Sequence, residues 1–265
     1  MKPSYTSKRN SAVQQGTAPT AQASSLTGKL VKAFALLTCL WVGYWAYHFT
    51  IASLYILASE RQMALWNQAP QNVSEGDVEK VSVWLNRAID YDPRHPHYYN
   101  LLGKSLQWLA YVQLTEQQQR FTPIALTPHQ SAQSSLQQAK QAYLKGAELR
   151  PEWALTWADL AQVEHQLNGD ALLDYLRYAD HFGPYMGEVN LTIASIGLER
   201  WNQLDREMRT LSMHHMERAL RHPQAAQRFA RHAEALEKLS LACVLANRIS
   251  DTPQSPIRAC RKVTL

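Results

Sequence analysis

The stretch Gly146-Ala-Glu-Leu-Arg-Pro-Glu-Trp-Ala-Leu-Thr-Trp-Ala-Asp-Leu-Ala161 decides how the chain is read. A small residue stands five before Pro151; an aromatic (Trp157), a leucine (Leu160) and a small residue (Ala161) follow at six, nine and ten. The same spacing surrounds Pro93, with Ala88 before it and Tyr99, Leu102 and Gly103 after it. Around Pro184 it weakens to Ala179, then Asn190, Ile193 and Ala194. Proline ends a helix because it lacks an N–H and its ring clashes with the preceding turn. These stretches read as helix, stop, helix, repeated along the chain.

The pattern resembles the tetratricopeptide repeat (TPR), whose period is about 34 residues. That resemblance implies an all-α chain of antiparallel helix pairs stacked as a short solenoid. Ala139 and Tyr143 occupy the small and aromatic positions of the helix ahead of Pro151, with Gly146 where alanine is usual. Val81, Leu85 and Ala88 hold the equivalent places ahead of Pro93. Pro93 and Pro151 lie 58 residues apart, one repeat plus a surplus. The glutamines 117–119, Pro123 and Pro128 place that surplus in an inserted loop near 115–135, either partner-facing or a plain surface excursion. Pro70 and Gly76 interrupt the expected first helix of the opening repeat. Residues Glu60–Asn67 therefore extend a preceding helix and cover the repeat's exposed face. Beyond residue 200 the spacing predicts a capping pair, one helix over about Leu198–Leu220 and one from Pro223 through Leu245.

Ala33–Ser59 holds 27 residues without a formal charge, His48 counted neutral. About 20 apolar residues suffice to cross a bilayer, and the apolar region of a signal peptide runs to only about 15. A lone His48 is more often packed or neutral than part of a proton path. Lys2, Lys8, Arg9, Lys29 and Lys32 precede the run with no acid among them, which predicts a cytoplasmic amino terminus. The organisation expected is a disordered cytoplasmic tail (1–32), a membrane signal anchor (33–59), TPR-like repeats (60–199), and a cap and tail (200–265), the last two outside the cytoplasm. Residues 60–265 carry 22 basic and 22 acidic groups, so no nucleic-acid surface is expected. The balance is −6 over 60–199 and +6 over 200–265. Either the basic end attracts an anionic partner or the two parts attract one another, and the second is favoured.

Cys243 and Cys260 are suited to a disulfide in an oxidising compartment; two free buried thiols are the alternative. No Gly-rich phosphate loop, Gly-x-Ser-x-Gly, His-Glu-x-x-His or Cys-x-x-Cys occurs, so no cofactor, metal or catalytic set is expected. His214 and His215 are adjacent and point about 100° apart on a helix, a poor metal pair. His95 and His97 flank a proline at a repeat junction and are a weak metal candidate. Asn72-Val-Ser74 and Asn190-Leu-Thr192 are glycosylation sequons relevant only in a eukaryotic host. In TPR proteins the first helix of each pair lines a partner groove. By register that places His97, Asn100, Lys104, Gln107 and Trp108 there, followed by Leu155, Ala158, Gln162, His165 and Gln166. The alternative is that Glu60–Asn67 or the inserted segment fills it.

A basic tail, one span and an outward TPR domain, with the Arg150–Ala161 stretch, resemble the VpsP-type proteins of bacterial exopolysaccharide assembly. The resemblance implies a non-catalytic protein of the bacterial inner membrane with a periplasmic domain. Its partners would be the membrane and polysaccharide polymerase or export components. A general TPR adaptor in envelope biogenesis, for cell-wall enzyme assembly or cytochrome maturation, and an enzyme within the last 65 residues remain as alternatives.

Overall fold

The computed structural model describes residues 23–119 and 127–249 together with Ile257 and Cys260. Ten α-helices and no strand occur among the described residues: α1 Ala23–Gln68, α2 Glu75–Tyr91, α3 Pro96–Gln119, α4 Thr127–Leu149, α5 Ala154–Leu167, α6 Leu172–Phe182, α7 Gly187–Glu199, α8 Arg206–Leu220, α9 Pro223–Ala235 and α10 Leu239–Ile249. The chain divides into two compact units, Met1–His48 and Phe49–Leu265. Of the expected tail, residues 1–22 lie outside the described residues, and from Ala23 it is helical.

In the first unit no described side chain of α1 is buried. Val31, Phe34, Leu36, Leu37, Leu40, Trp41, Val42 and Trp45 are each more than half exposed, and at 100° per residue they lie around the whole helix. Such a helix has its apolar surface satisfied by something other than its own fold.

In the second unit the same helix acquires one buried face. Ala52, Ile56, Met63 and Trp66 pack with Val78, Val81, Leu85 and Ala88 of α2 and with Tyr98 and Leu101 of α3. The spacing of three and four residues is that of a single helical stripe. Ser59, also buried, satisfies its hydroxyl by donating to Tyr55 O at 2.8 Å. The compact units divide at 48/49, inside the expected span of 33–59. In the last third of that charge-free run one face packs on protein, while Leu54 and Leu57 stay exposed on the other.

The hairpins that follow carry the repeat signature into contacts. Tyr143 is fully buried, and its ring lies over Gly103, where a Cβ would come within 2.7 Å of it. A Cβ on Gly146 would likewise collide with the Asn100 amide, which explains glycine where the repeat usually has alanine. The aromatic after each proline closes the turn behind it: Tyr99 Oη donates to Pro93 O at 3.0 Å, and Trp157 Nε1 donates to Pro151 O at 2.6 Å.

Two expectations are corrected. The inserted loop near 115–135 is helical at both ends, because α3 continues to Gln119 and α4 begins at Thr127; residues 120–126 lie outside the described residues. Glutamine is a good helix former, and Pro128 sits in the first turn of α4, where its missing N–H costs nothing. The surplus thus lengthens a hairpin to helices of 24 and 23 residues, against 14 and 11 for α5 and α6. The cap is also more divided than expected. Its first helix starts only at Arg206, where Asp205 accepts from Met208 N at 2.8 Å. The second breaks at Glu237, which adopts φ 58. Lys238 N closes the end of α9 on Ala233 O (2.7 Å), and its Nζ donates to Leu198 O (2.7 Å), tying the break to α7. Cys243 of α10 is disulfide-bonded to Cys260, with Cα atoms 5.4 Å apart.

Replacing Tyr143 by alanine is expected to lower the unfolding free energy by about 3–5 kcal/mol. Equilibrium urea unfolding checks this, and a loss below about 1 kcal/mol would show that the ring does not anchor its hairpin. Reducing the Cys243–Cys260 bridge should cost about 3 kcal/mol, read as a lower melting temperature with reductant that the Cys243→Ser, Cys260→Ser double variant reproduces without it.

Candidate functional site

Helices α1, α3, α5, α7 and α9 are the first members of successive hairpins, and one face of each carries the positions expected by register to line a groove. On this face a basic side chain of one helix meets an acidic side chain of its neighbour. Glu60 of α1 pairs with His97 of α3 at 2.8 Å, and Lys104 of α3 with Asp159 of α5 at 3.7 Å. His165 of α5 pairs with Glu199 of α7 at 3.1 Å, and Glu188 of α7 with Arg228 of α9 at 2.6 Å. His232 of α9 stands 3.9 Å from the same Glu199. Asp159 and His165 are less exposed than their partners; the exposed pairs, Glu60–His97 and Glu188–Arg228, contribute about 0–1 kcal/mol each. Their effect is on surface chemistry, since they leave the face polar with its charges internally matched.

Most of the expected groove residues have structural partners. His97 holds Glu60 and packs its ring 5.8 Å from Trp153. Asn100 is buried and donates to Thr156 Oγ1 at 2.7 Å. Gln107 accepts from Tyr143 Oη at 2.6 Å. Trp108 meets Trp66 of α1 edge to face at 5.7 Å. His165 accepts from Arg200 Nε at its Nδ1 (2.8 Å) while its Nε2 faces Glu199, an arrangement that suits the neutral ring. Lys104, Gln162 and Gln166 are exposed, whereas Leu155 is half-buried and Ala158 buried. At α3, Glu60 and Trp66 of α1 thus take up the face, and the open positions lie toward α5.

The metal candidates separate. His214 is exposed, while His215 is buried between Asn190 Oδ1 (2.6 Å) and Asp180 Oδ1 (3.0 Å). Burial holds its imidazole well below the ordinary value, at about 4, against the opposing pull of Asp180. A neutral ring donates from Nε2 to Asp180 and accepts at Nδ1 from the Asn190 amide once that amide turns its nitrogen toward the ring. Asn190, buried and bonded in this way, is closed to glycosylation. His95 stacks on Tyr98 at 4.2 Å and meets His97 edge to face at 6.3 Å, while His97 Nε2 is taken up by Glu60. No group of three metal-ligating side chains occurs among the described residues.

Sequence reasoning missed the buried Glu164. Its Oε1 accepts from Ala171 N at 3.1 Å and its Oε2 pairs with Lys140 at 2.6 Å. A side chain on Gly169 would run into it, and the Asn168-Gly169 turn was the one available signal. Beside it opens a cleft of about 510 Å³ lined by Gln133, Gln137, Gln141 and Lys140. The opposed charges of the two parts of the chain do pair, through Asp180–Arg218 and Glu188–Arg228.

Comparison with known protein families and with curated proteins finds no match. Among solved structures the chain is similar to YrrB, a TPR protein with an unusual peptide-binding site, at 14% identity over 78% of this chain and 88% of that one, TM-score 0.40. It is also similar to Pseudomonas aeruginosa PilF (15% identity, 76% and 91% covered, TM-score 0.31) and to yeast Tom70 (15%, 76% and 56%, TM-score 0.24). The TPR-like fold rests on the hairpin contacts above.

Burial pushes the Asp159 carboxyl up to about 6, with Lys104 opposing. Its charged form is therefore less favourable in the folded than in the unfolded chain. It subtracts stability above about pH 6 and ceases to do so as pH falls toward the usual carboxylate range. Asp159→Asn is expected to be more stable than the parent at neutral pH, with the difference vanishing by about pH 4. Unfolding curves across that range would refute this if the variant were less stable at neutral pH.

Proposed function

We propose that the chain is a membrane-anchored, extracytoplasmic TPR scaffold without catalytic activity, assisting exopolysaccharide biosynthesis or export through protein contacts. The observation that carries the anchoring is the change of environment along α1. Its apolar side chains are exposed from Leu30 to Phe49 and then buried on one face from Ala52. The charge-free run Ala33–Ser59 spans about 40 Å as a helix, enough to cross a hydrocarbon core about 30 Å thick with some tilt. Helix length and hydropathy over Thr27–Gln68 agree with a crossing. Cations without acids before the stretch support a cytoplasmic amino terminus, and the Cys243–Cys260 bridge supports an oxidising compartment on the other side.

Protein contacts are the activity the rest supports. Among the described residues the stacked hairpins present a polar face on which acidic and basic side chains pair between neighbouring helices. The link to polysaccharide assembly rests on the resemblance to VpsP-type proteins. A phosphatase fused after Leu265 should be active and a fluorescent protein at the same place dark; the reverse pattern would overturn the topology. In a mild-detergent pull-down, a polysaccharide polymerase or exporter in the eluate is the expected outcome. A cell-wall synthase or cytochrome-maturation component there instead would replace the polysaccharide role by general envelope adaptation.

A further inference from the structure

Helices α4 and α6 are the second members of neighbouring hairpins, and each packs on α5. Between α4 and the turn from α5 to α6 lies the cleft of about 510 Å³. Its α4 wall is Gln133, Gln137 and Gln141, four residues apart and so on one stripe of the helix, with Gln138 beside them. All four are exposed. Among the described residues only Gln138 of this set has a side-chain hydrogen bond, to Ser134 Oγ at 3.4 Å. A glutamine amide is planar and holds donors and an acceptor side by side. Such a row can give and take hydrogen bonds at neighbouring hydroxyls of one ligand.

The opposite wall is built around a buried charge. Glu164 is 2% exposed; its Oε1 accepts from Ala171 N, and its Oε2 lies 2.6 Å from Lys140 Nζ. The cleft therefore carries one cation and one anion, matched to each other, and the rest of its polar lining is uncharged. Lys140 also stands 6.0 Å over the ring of Tyr175, where a row of aromatic rings begins. Tyr175 lies 6.0 Å from Trp157, and Trp157 lies 4.7 Å from Tyr178, which is 47% exposed.

This combination selects among ligands. An amphipathic peptide helix would find a single large apolar side chain in the cleft, Leu167. An anion would find one lysine, already neutralised by Glu164. An uncharged ligand rich in hydroxyls finds amides for its O–H groups. Beside them it finds ring faces whose negative potential suits the C–H side of a sugar ring. The volume falls within the range of about 300–1,000 Å³ of small-ligand sites.

We propose that this cleft binds an uncharged segment of polysaccharide. Gln133, Gln137 and Gln141 hydrogen-bond its hydroxyls, and Tyr175 and Tyr178 stack against its sugar rings. The proposal rests on the polysaccharide reading and adds direct contact with the polymer, on the second helices of the hairpins instead of the first.

The test uses the full chain in phosphatidylcholine nanodiscs, which carry no sugar headgroup. Calorimetric titration with cellohexaose, mannohexaose and maltohexaose probes neutral glycans, and an alginate oligomer serves as the charged comparison. At least one neutral hexasaccharide should bind with a Kd in the millimolar range or tighter. Gln137→Ala and Tyr178→Ala should each weaken it about fivefold, as expected for one hydrogen bond or one ring contact. Both side chains are exposed, so the melting temperature should hold, and Gln71→Ala, in the turn before α2, should leave binding unchanged. No neutral hexasaccharide bound at millimolar concentration would overturn the glycan site while a polymerase or exporter in the pull-down still stood. Binding confined to the alginate oligomer and removed by salt would overturn the neutral selectivity. Binding that persists undiminished in both variants would place the ligand elsewhere and overturn the assignment. Hexasaccharide binding together with a cell-wall synthase in the pull-down would remove the assembly role and leave the cleft.

Discussion

The second unit depends on one apolar stripe, Ala52, Ile56, Met63 and Trp66, closing the first hairpin. A TPR-like pair cannot bury its face alone, and stability comes from each neighbour covering the next. Here α2 has no repeat helix of its own before it, because Pro70 starts a short 3-10 turn and Ser74 then caps α2 in a reciprocal capping box with Asp77. The end of α1 takes that vacant position. A side chain lost from the stripe would expose Val81, Leu85 and Tyr98 together, so the first hairpin and the remainder of α1 cannot be separated energetically.

Once that hairpin is closed, the later ones repeat its logic with different means. Tyr143 over Gly103 fills the gap between α3 and α4. Between α7 and α8 the aromatic is absent and a polar set replaces it: His215 spans Asn190 and Asp180, and Ser212 packs on Gly197. The His215 ring has both its partners here, so removing Asn190 or Asp180 would leave a buried polar group unpaired, whereas the buried Ser212 Oγ has no hydrogen-bond partner among the described residues. The weakening of the repeat signature after Pro184 is therefore a change in how the helices are held together, with the hairpin itself retained.

How much was legible follows from the kind of signal each feature leaves. Proline spacing and small residues located α2 to α7 because a helix stop and a close backbone approach each demand a particular side chain. Helix extension past Gln117 was misjudged because polar composition reports exposure, and an exposed helix is as polar as a loop. The break at Glu237 left no signal, since only tertiary contacts from Lys238 hold a non-glycine residue at positive φ there. Of the groove candidates, residue positions were readable but their engagement was not: Asn100, Gln107 and Trp108 find partners 36 to 56 residues away in sequence, at distances no local pattern encodes.

Two buried titrating groups act on this fold in opposite senses. His215, held near 4, gives stability that is complete above its unfolded value of 6.5 and is lost as pH falls. Asp159, raised to about 6, opposes folding when charged, and that opposition is relieved as pH falls toward 3.8. Between about pH 6 and 4 the two slopes oppose one another. They sit on different hairpins, Asp159 beside Lys104 and His215 beside Asp180, so acidification loosens the α7–α8 junction while relaxing the α3–α5 contact. The outcome is a redistribution of stability along the stack, which a single global melting temperature would average away.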